Sequence, residues 1–310
     1  MTGANDAAAA HGARWIYFKL YPGLFGAGLD HLIANDLAPL AGRGDVAKWH
    51  FLRMTDDGGP HLRVRFLPAD PHAREPLAAR IERELRTLAD ELPFTPESPF
   101  TPLVATRRTE GAAAAMVPAP RAPRAHVQRD TYEPETGKYG LGEMLEACET
   151  HFQVSSEIAA AAIAAELLEG RSRKGIAPLL MARCVHLFEL PRSSRQFLAD
   201  YCDYWLRGAD PAEDHRGRFA ERIADLRVLP FDPLDADALL VAGEQDLLAR
   251  WETSIRQVSR AAGRHFARND NFRDQLAFNL CHLMMNRLGF PATDEAYLAC
   301  LVAAFDRVPA

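Results

Sequence analysis

Thr131–Gly140 reads TYEPETGKYG and sits at the seam of a 310-residue chain whose two halves are built differently. Upstream the pattern is mostly that of strands; downstream it is almost entirely helical. The stretch carries Glu133, Glu135 and Lys138, which can handle protons or anions, beside Tyr132 and Tyr139. Pro134, Gly137 and Gly140 shape its backbone. Ligand sites favour such junctions, but an ordinary polar connection has the same composition. A second observation is needed to choose.

Upstream, His126–Tyr132 reads as an extended segment. Thr109–Ala125 (TEGAAAAMVPAPRAPRA) is an Ala/Pro low-complexity stretch, expected as a mobile loop or semi-rigid linker over 109–125. Leu103–Arg107 could be a strand, and Pro71–Leu92 carries Leu77, Ile81, Leu85, Leu88 and Leu92 at helical spacing. Lys48–Met54 and His61–Leu67 are strand-like runs joined by TDDGGP, a hairpin. A period of two places Leu62, Val64 and Phe66 on one face and His61, Arg63 and Arg65 on the other. That second face is either a wetted outer surface or an anion-binding one. Leu29–Leu40 has helical spacing, Trp15–Tyr21 (WIYFKLY) reads as a buried strand, and residues 1–13 are expected to be a disordered leader.

Downstream, Glu143–Phe152, Ser156–Leu168, Ile176–Phe188, Ser194–Leu206, Ala212–Leu226, Ala236–Ala262, Asn271–Leu288 and Asp294–Val308 all show helical apolar spacing. Ser155, Ser193, Asp270 and Asp294 are plausible N-caps. The fold class is α+β: a mostly antiparallel N-terminal sheet with helices, then a helical C-terminal layer. The sheet-containing half spans 14–140 and the helical half 141–310, expected as one integrated domain.

Composition narrows the classes. Hydrophobic content of 48% and charged content of 25% are those of a soluble globular chain, and a net charge of −6 argues against a general nucleic-acid-binding surface. Cys148, Cys184, Cys202, Cys281 and Cys300 lie in apolar helical stretches without a CxxC, as buried free thiols would. There is no signal-peptide pattern and no membrane-length apolar run. A cytoplasmic location is expected. No metal cluster, Gly-rich phosphate loop or Ser–His–Asp arrangement is evident, so neither metal nor cofactor is expected.

The second observation lies in Leu280–Gly289 (LCHLMMNRLG), where His282 and Asn286 share a helix face at i and i+4. Polar groups on an otherwise apolar helix need hydrogen-bond partners or a cavity. His186, between Val185 and Leu187, reads as a packing residue.

The succession RWIYFKLYPG, WHFLRMTDDGGPHLRVRF, DTYEPETGKYG, ETHFQVSSEIA and CHLMMNRLG, from Trp15 to Phe305, resembles the C-terminal domain of class I lantibiotic dehydratases, in its stand-alone thiopeptide-biosynthesis version. The resemblance implies tailoring of a ribosomally made precursor peptide, leader plus core. A glutamylating partner protein would first esterify Ser or Thr side chains with glutamate from glutamyl-tRNA. This domain would then eliminate the glutamate, leaving dehydroalanine or dehydrobutyrine. Arg63 and Arg65 fall on the family's arginine pair, Glu135 and Lys138 on its glutamate and arginine three apart, and His282 on its C-terminal helix histidine. Lys138, where Arg is usual, and Ser155, where Asp is frequent in full-length dehydratases, depart from the pattern. Related stand-alone proteins are pyridine synthases, which join two dehydroalanines by a formal [4+2] cycloaddition and are described as lacking the elimination residues.

β-Elimination needs a base for the Cα proton, stabilisation of the enolate-like carbanion and a cation or acid for the leaving carboxylate. Arg63 and Arg65 can grip a carboxylate in two-point fashion, Lys138 only as a point charge. His282 can exchange a proton at neutral pH. His61, Tyr132, Tyr139 and Asn286 are expected to line the substrate. Three readings stay open: glutamate elimination, pyridine-forming cyclisation, and a non-catalytic partner that captures a leader peptide by strand addition. A homodimer is also open.

Overall fold

The computed structural model describes residues 2–22, 27–91, 125–207, 214–230, 232–266 and 269–306. Leu103–Arg107 and the loop 109–124 lie outside the described residues. The chain divides into two compact units at Pro134/Glu135, six residues before the expected seam. The shift has a local cause. Glu135 opens the short helix α5 (Thr136–Tyr139), whose amides from Lys138 to Gly140 bond back to Glu135 and Thr136. Tyr139 of that helix packs edge-on against Phe152. Gly140 then takes φ 73°, where a Cβ would lie 2.6 Å from the Met144 side chain, so only glycine makes this exit.

The first unit begins with helix α1 (Thr2–Gly12), where a disordered leader was expected. Its Ala run has the highest helix propensity. Its end is held close to the fold: a Cβ on Gly12 would lie 2.0 Å from the Tyr132 carbonyl oxygen. Strand β1 (Ile16–Tyr21) follows, then α2 (Ala27–His31), a π-helical turn (Leu32–Leu37) and α3 (Ala38–Ala41). The hairpin is β2 (Val46–Asp56) and β3 (Gly59–Pro68), and α4 (Arg74–Glu91) and β4 (His126–Asp130) complete the unit. All pairings are antiparallel, in the order β2-β3-β1-β4. Ile16, Phe18, Leu20, Phe51, Leu62, Val64 and Phe66 are fully buried on one face, with Leu77, Ile81 and Leu85 of α4 also in the core.

The second unit is helical. After α5 come α6 (Glu143–Glu169), α7 (Arg173–Leu187), α8 (Ser194–Leu206), α9 (His215–Arg227), α10 (Ala236–Leu239), α11 (Ala242–His265), α12 (Asp270–Leu288) and α13 (Ala292–Phe305). Two expected helices, 143–152 and 156–168, are one continuous α6. Ser155 is therefore no N-cap; its hydroxyl is buried in contact with α11. Ser193 does cap α8, but α12 is capped by Asn269 rather than Asp270. α13 starts after Pro291, which leaves Asp294 inside its first turn. Helix α6 is apolar on nearly every side and packs against α11 and α12, as a central helix must.

A closed polar chain crosses that core. Trp251 Nε1 donates to Ser155 Oγ at 3.0 Å, and Ser155 lies 3.1 Å from His151 Nε2. His151 Nδ1 lies 2.8 Å from Ser254 Oγ, whose proton goes to the Trp251 carbonyl at 2.6 Å. One proton arrangement satisfies all of them: Nδ1–H donates to Ser254 and Nε2 accepts from Ser155. His151 is thus held neutral, and burial, with Arg287 second, pushes its pKa down to about 3. Such a group binds a proton in the unfolded chain but not in the folded one. Its contribution is intact above pH ~6.5 and falls away as pH drops towards 3. From pH 7 to 5 the loss should reach ~2 kcal/mol. Denaturant titrations of wild type and His151→Gln at both pH values check this, because the variant should lose most of that pH dependence.

Candidate active site

In the first unit, register places Arg65 beside Tyr17 and His50, and Arg63 beside Lys19 and Leu52. His61 pairs with Met54 and packs at a tilt against Tyr21, 4.6 Å between ring centroids. His61, Arg63 and Arg65 therefore share a face as the alternation predicts, but that face is not simply wetted. His61 is fully buried and Arg65 only 8% exposed. The Arg65 guanidinium lies 4.6 Å from the Tyr17 ring centroid and 4.7 Å from that of Tyr132. Two ring contacts at this distance hold a largely desolvated guanidinium in place by cation–π attraction. Tyr132 is fixed in turn by Trp15, edge-on at 5.8 Å. The Nε of Arg63 is buried without a hydrogen-bond partner among the described residues. Lys19 adds a third cation, salt-bridged to Asp130 at 2.8 Å.

His61 shares the face of Arg63 and Arg65 but not their fixed charge. Burial pushes its pKa down, its Nδ1 lies 3.1 Å from the Gly59 carbonyl, and its Nε2 finds no partner among the described residues. Burial thus favours its neutral form.

In the second unit, α12 presents His282, whose side chain is 34% exposed. Its Nδ1 lies 3.0 Å and 3.2 Å from the two carboxyl oxygens of Glu295 on α13. The Tyr201 hydroxyl on α8 donates to the same carboxyl. Glu295 is 2% exposed. Burial raises its pKa, opposed by its bonds to His282 and Tyr201, and burial raises that of Tyr201 too. Trp205 packs at a tilt against the imidazole at 4.7 Å, and Phe278 stacks on Trp205 at 5.9 Å. A carboxyl on Nδ1 selects the tautomer with its proton there. Nε2 becomes the nitrogen that takes or gives a proton.

The remaining expected residues fall as follows. Glu135 and Lys138 pair with each other at 2.9 Å, both more than half exposed. Tyr139 is buried, with its ring in packing contact with Phe152. Asn286 is half-buried and its carbonyl accepts from Gly289, closing α12. Ser155 belongs to the core chain around His151. Because the Glu135–Lys138 pair is exposed, Lys138→Ala should change folding stability by less than ~1 kcal/mol. Any larger drop in activity in that variant would then report on function, which a melting curve and an activity assay on one preparation can separate.

Glu295 and Tyr201 are absent from the sequence reading. The only local hint was an acidic pair, Asp294–Glu295, in a first helical turn, which looks like ordinary dipole compensation. Among the described residues, no three His, Cys, Asp or Glu side chains gather as a metal site would need. No single helix there is long and apolar enough to cross a membrane.

A four-stranded antiparallel sheet followed by helices, with a carboxyl-held histidine among those helices, makes this an α+β protein. The chain matches the family described as lantibiotic biosynthesis dehydratase C-term over residues 15–305, and it belongs to that family. Three solved structures share the fold. The tRNA-dependent lantibiotic dehydratase MibB from Microbispora sp. 107891 is 18% identical with a TM-score of 0.65, over 94% of this chain and 28% of MibB. The pyridine synthase TbtD from thiomuracin biosynthesis is 19% identical with a TM-score of 0.66, over 94% of this chain and 96% of TbtD. TsrL is 18% identical with a TM-score of 0.61, over 94% of both chains. The chain thus spans about a quarter of MibB but nearly all of TbtD and TsrL. No curated protein matches it in sequence.

Proposed function

We propose that this protein eliminates glutamate from glutamylated Ser or Thr side chains of a ribosomally made precursor peptide. The observation that carries the reading is His282, held by Glu295 with Nε2 left for proton transfer. Nε2 accepts the Cα proton, the Cα=Cβ bond forms, the Cβ–O bond breaks, and glutamate leaves through its carboxylate. Arg63 and Arg65 bind carboxylate on their strand face, Arg65 with its fork aligned by Tyr17 and Tyr132. Glu135 and Lys138 are assigned to the same reaction on the resemblance of their motif. The substrate requires a glutamylating partner, and no cofactor is called for.

The near-complete mutual coverage with a pyridine synthase supports a second reading, formal [4+2] cyclisation of two dehydroalanines. Purified protein should be given a glutamyl-Ser peptide and, separately, a bis-dehydroalanine peptide, with products read by mass. Loss of glutamate from the first supports elimination. Ring formation with leader release from the second supports the cyclase. Inertness towards both, with binding retained, leaves the leader-peptide-binding reading.

A further inference from the structure

Two thiols meet where α8 crosses α13. The sulfur atoms of Cys202 and Cys300 are 3.2 Å apart, with the Cys300 thiol directed at Cys202. Neither takes part in the chemistry proposed above. Cys202 is buried and Cys300 half-buried. Arg216, near the start of α9 and ion-paired with Asp203, adds a partly compensated positive charge. The Cys300 thiol and this guanidinium both favour thiolate at Cys202, lowering its pKa to about 7 against the opposing effect of burial. The same contact keeps Cys300 in the thiol form.

The other three cysteines lack this combination. Cys148 is buried and held as a thiol by burial. Cys281 neighbours Cys184, but both are buried and the pKa of Cys281 is raised. Thiolate character and access together govern oxidation.

We propose that Cys202 and Cys300 form a reversible dithiol–disulfide site, oxidised by hydroperoxides, that clamps α8 to α13. The Cys202 thiolate attacks a peroxide oxygen, the O–O bond breaks, and sulfenic acid forms with release of hydroxide. The Cys300 sulfur then attacks the sulfenic sulfur; the S–S bond forms and the S–OH bond breaks. The departing hydroxide takes the thiol proton and leaves as water. Two thiols lose two electrons and one hydrogen peroxide becomes two waters. The sulfurs need only close to ~2.05 Å. The site lies on the helices that hold His282: Tyr201 precedes Cys202 on α8, and Glu295 shares α13 with Cys300.

The test treats the full chain with graded hydrogen peroxide, alkylates free thiols and digests without reduction for mass spectrometry. Expected are a loss of two hydrogens, a Cys202–Cys300 cross-link reversed by dithiothreitol, and Cys148, Cys184 and Cys281 alkylated only after unfolding. In Cys300→Ser, Cys202 should stop at a sulfenic acid that dimedone captures. In Cys202→Ser, Cys300 should stay reduced at the same dose. Overoxidation of Cys300 without a cross-link, a cross-link through another cysteine, or unchanged oxidation of Cys300 in Cys202→Ser overturns the proposal.

Discussion

His282→Gln should lower glutamate elimination by ~10²–10⁴-fold, the usual share of a general acid–base group, while the protein stays folded. Gln is the decisive substitution. His282→Ala removes the partner of a buried carboxyl and leaves Tyr201 alone to satisfy Glu295, so it should also cost ~1–3 kcal/mol of stability. The amide of Gln can still donate to Glu295, yet it cannot carry a proton. Glu295→Gln should act on the rate through the imidazole: the carboxyl that selects the tautomer is lost, whereas the imidazole remains. Its signature is a displaced pH–rate profile with nearly unchanged peptide binding, which a purely structural Glu295 would not produce. Full elimination by a well-folded His282→Gln variant would remove His282 from the mechanism.

What was legible in the chain, and what was not, follows from the range of the forces involved. The alternation in His61–Leu67 places its residues on two faces because a period of two is a property of extended backbone. The register agrees, with Tyr17 opposite Arg65 and Lys19 opposite Arg63. Helices α8 and α12 were found within a residue because their apolar spacing and polar caps are local. The failures are tertiary. Ser155 resembles a cap by residue type, but its partner is Trp251, 96 positions away. His61 looks cationic until burial beside Tyr21 is known. Glu295 and Tyr201 meet across 94 positions, so nothing near either announces the bond. In α1 the miss was local: the composition suggested disorder, whereas an Ala run favours helix.

Arg63 and Arg65 should separate into a binding effect and a mixed one. Arg63→Ala is expected to lower kcat/KM for the glutamylated peptide roughly 10–10²-fold, the equivalent of ~1.5–3 kcal/mol for hydrogen bonds to a charged group. Free glutamate, as product inhibitor, should bind correspondingly more weakly to that variant and normally to His282→Gln. Arg65 answers differently because its guanidinium is packed between Tyr17 and Tyr132. Arg65→Ala removes stem packing and a desolvated cation–π contact worth about 2 kcal/mol, so melting temperature and activity should fall together. Arg65→Lys keeps the charge but loses the planar fork that lies between the rings and aligns two N–H donors on a carboxylate. It should recover part of the stability and little of the turnover. A well-folded Arg63→Ala with unchanged kcat/KM and unchanged inhibition by glutamate would mean that this face does not hold the leaving group. The cationic residues of β3 would then serve the sheet alone.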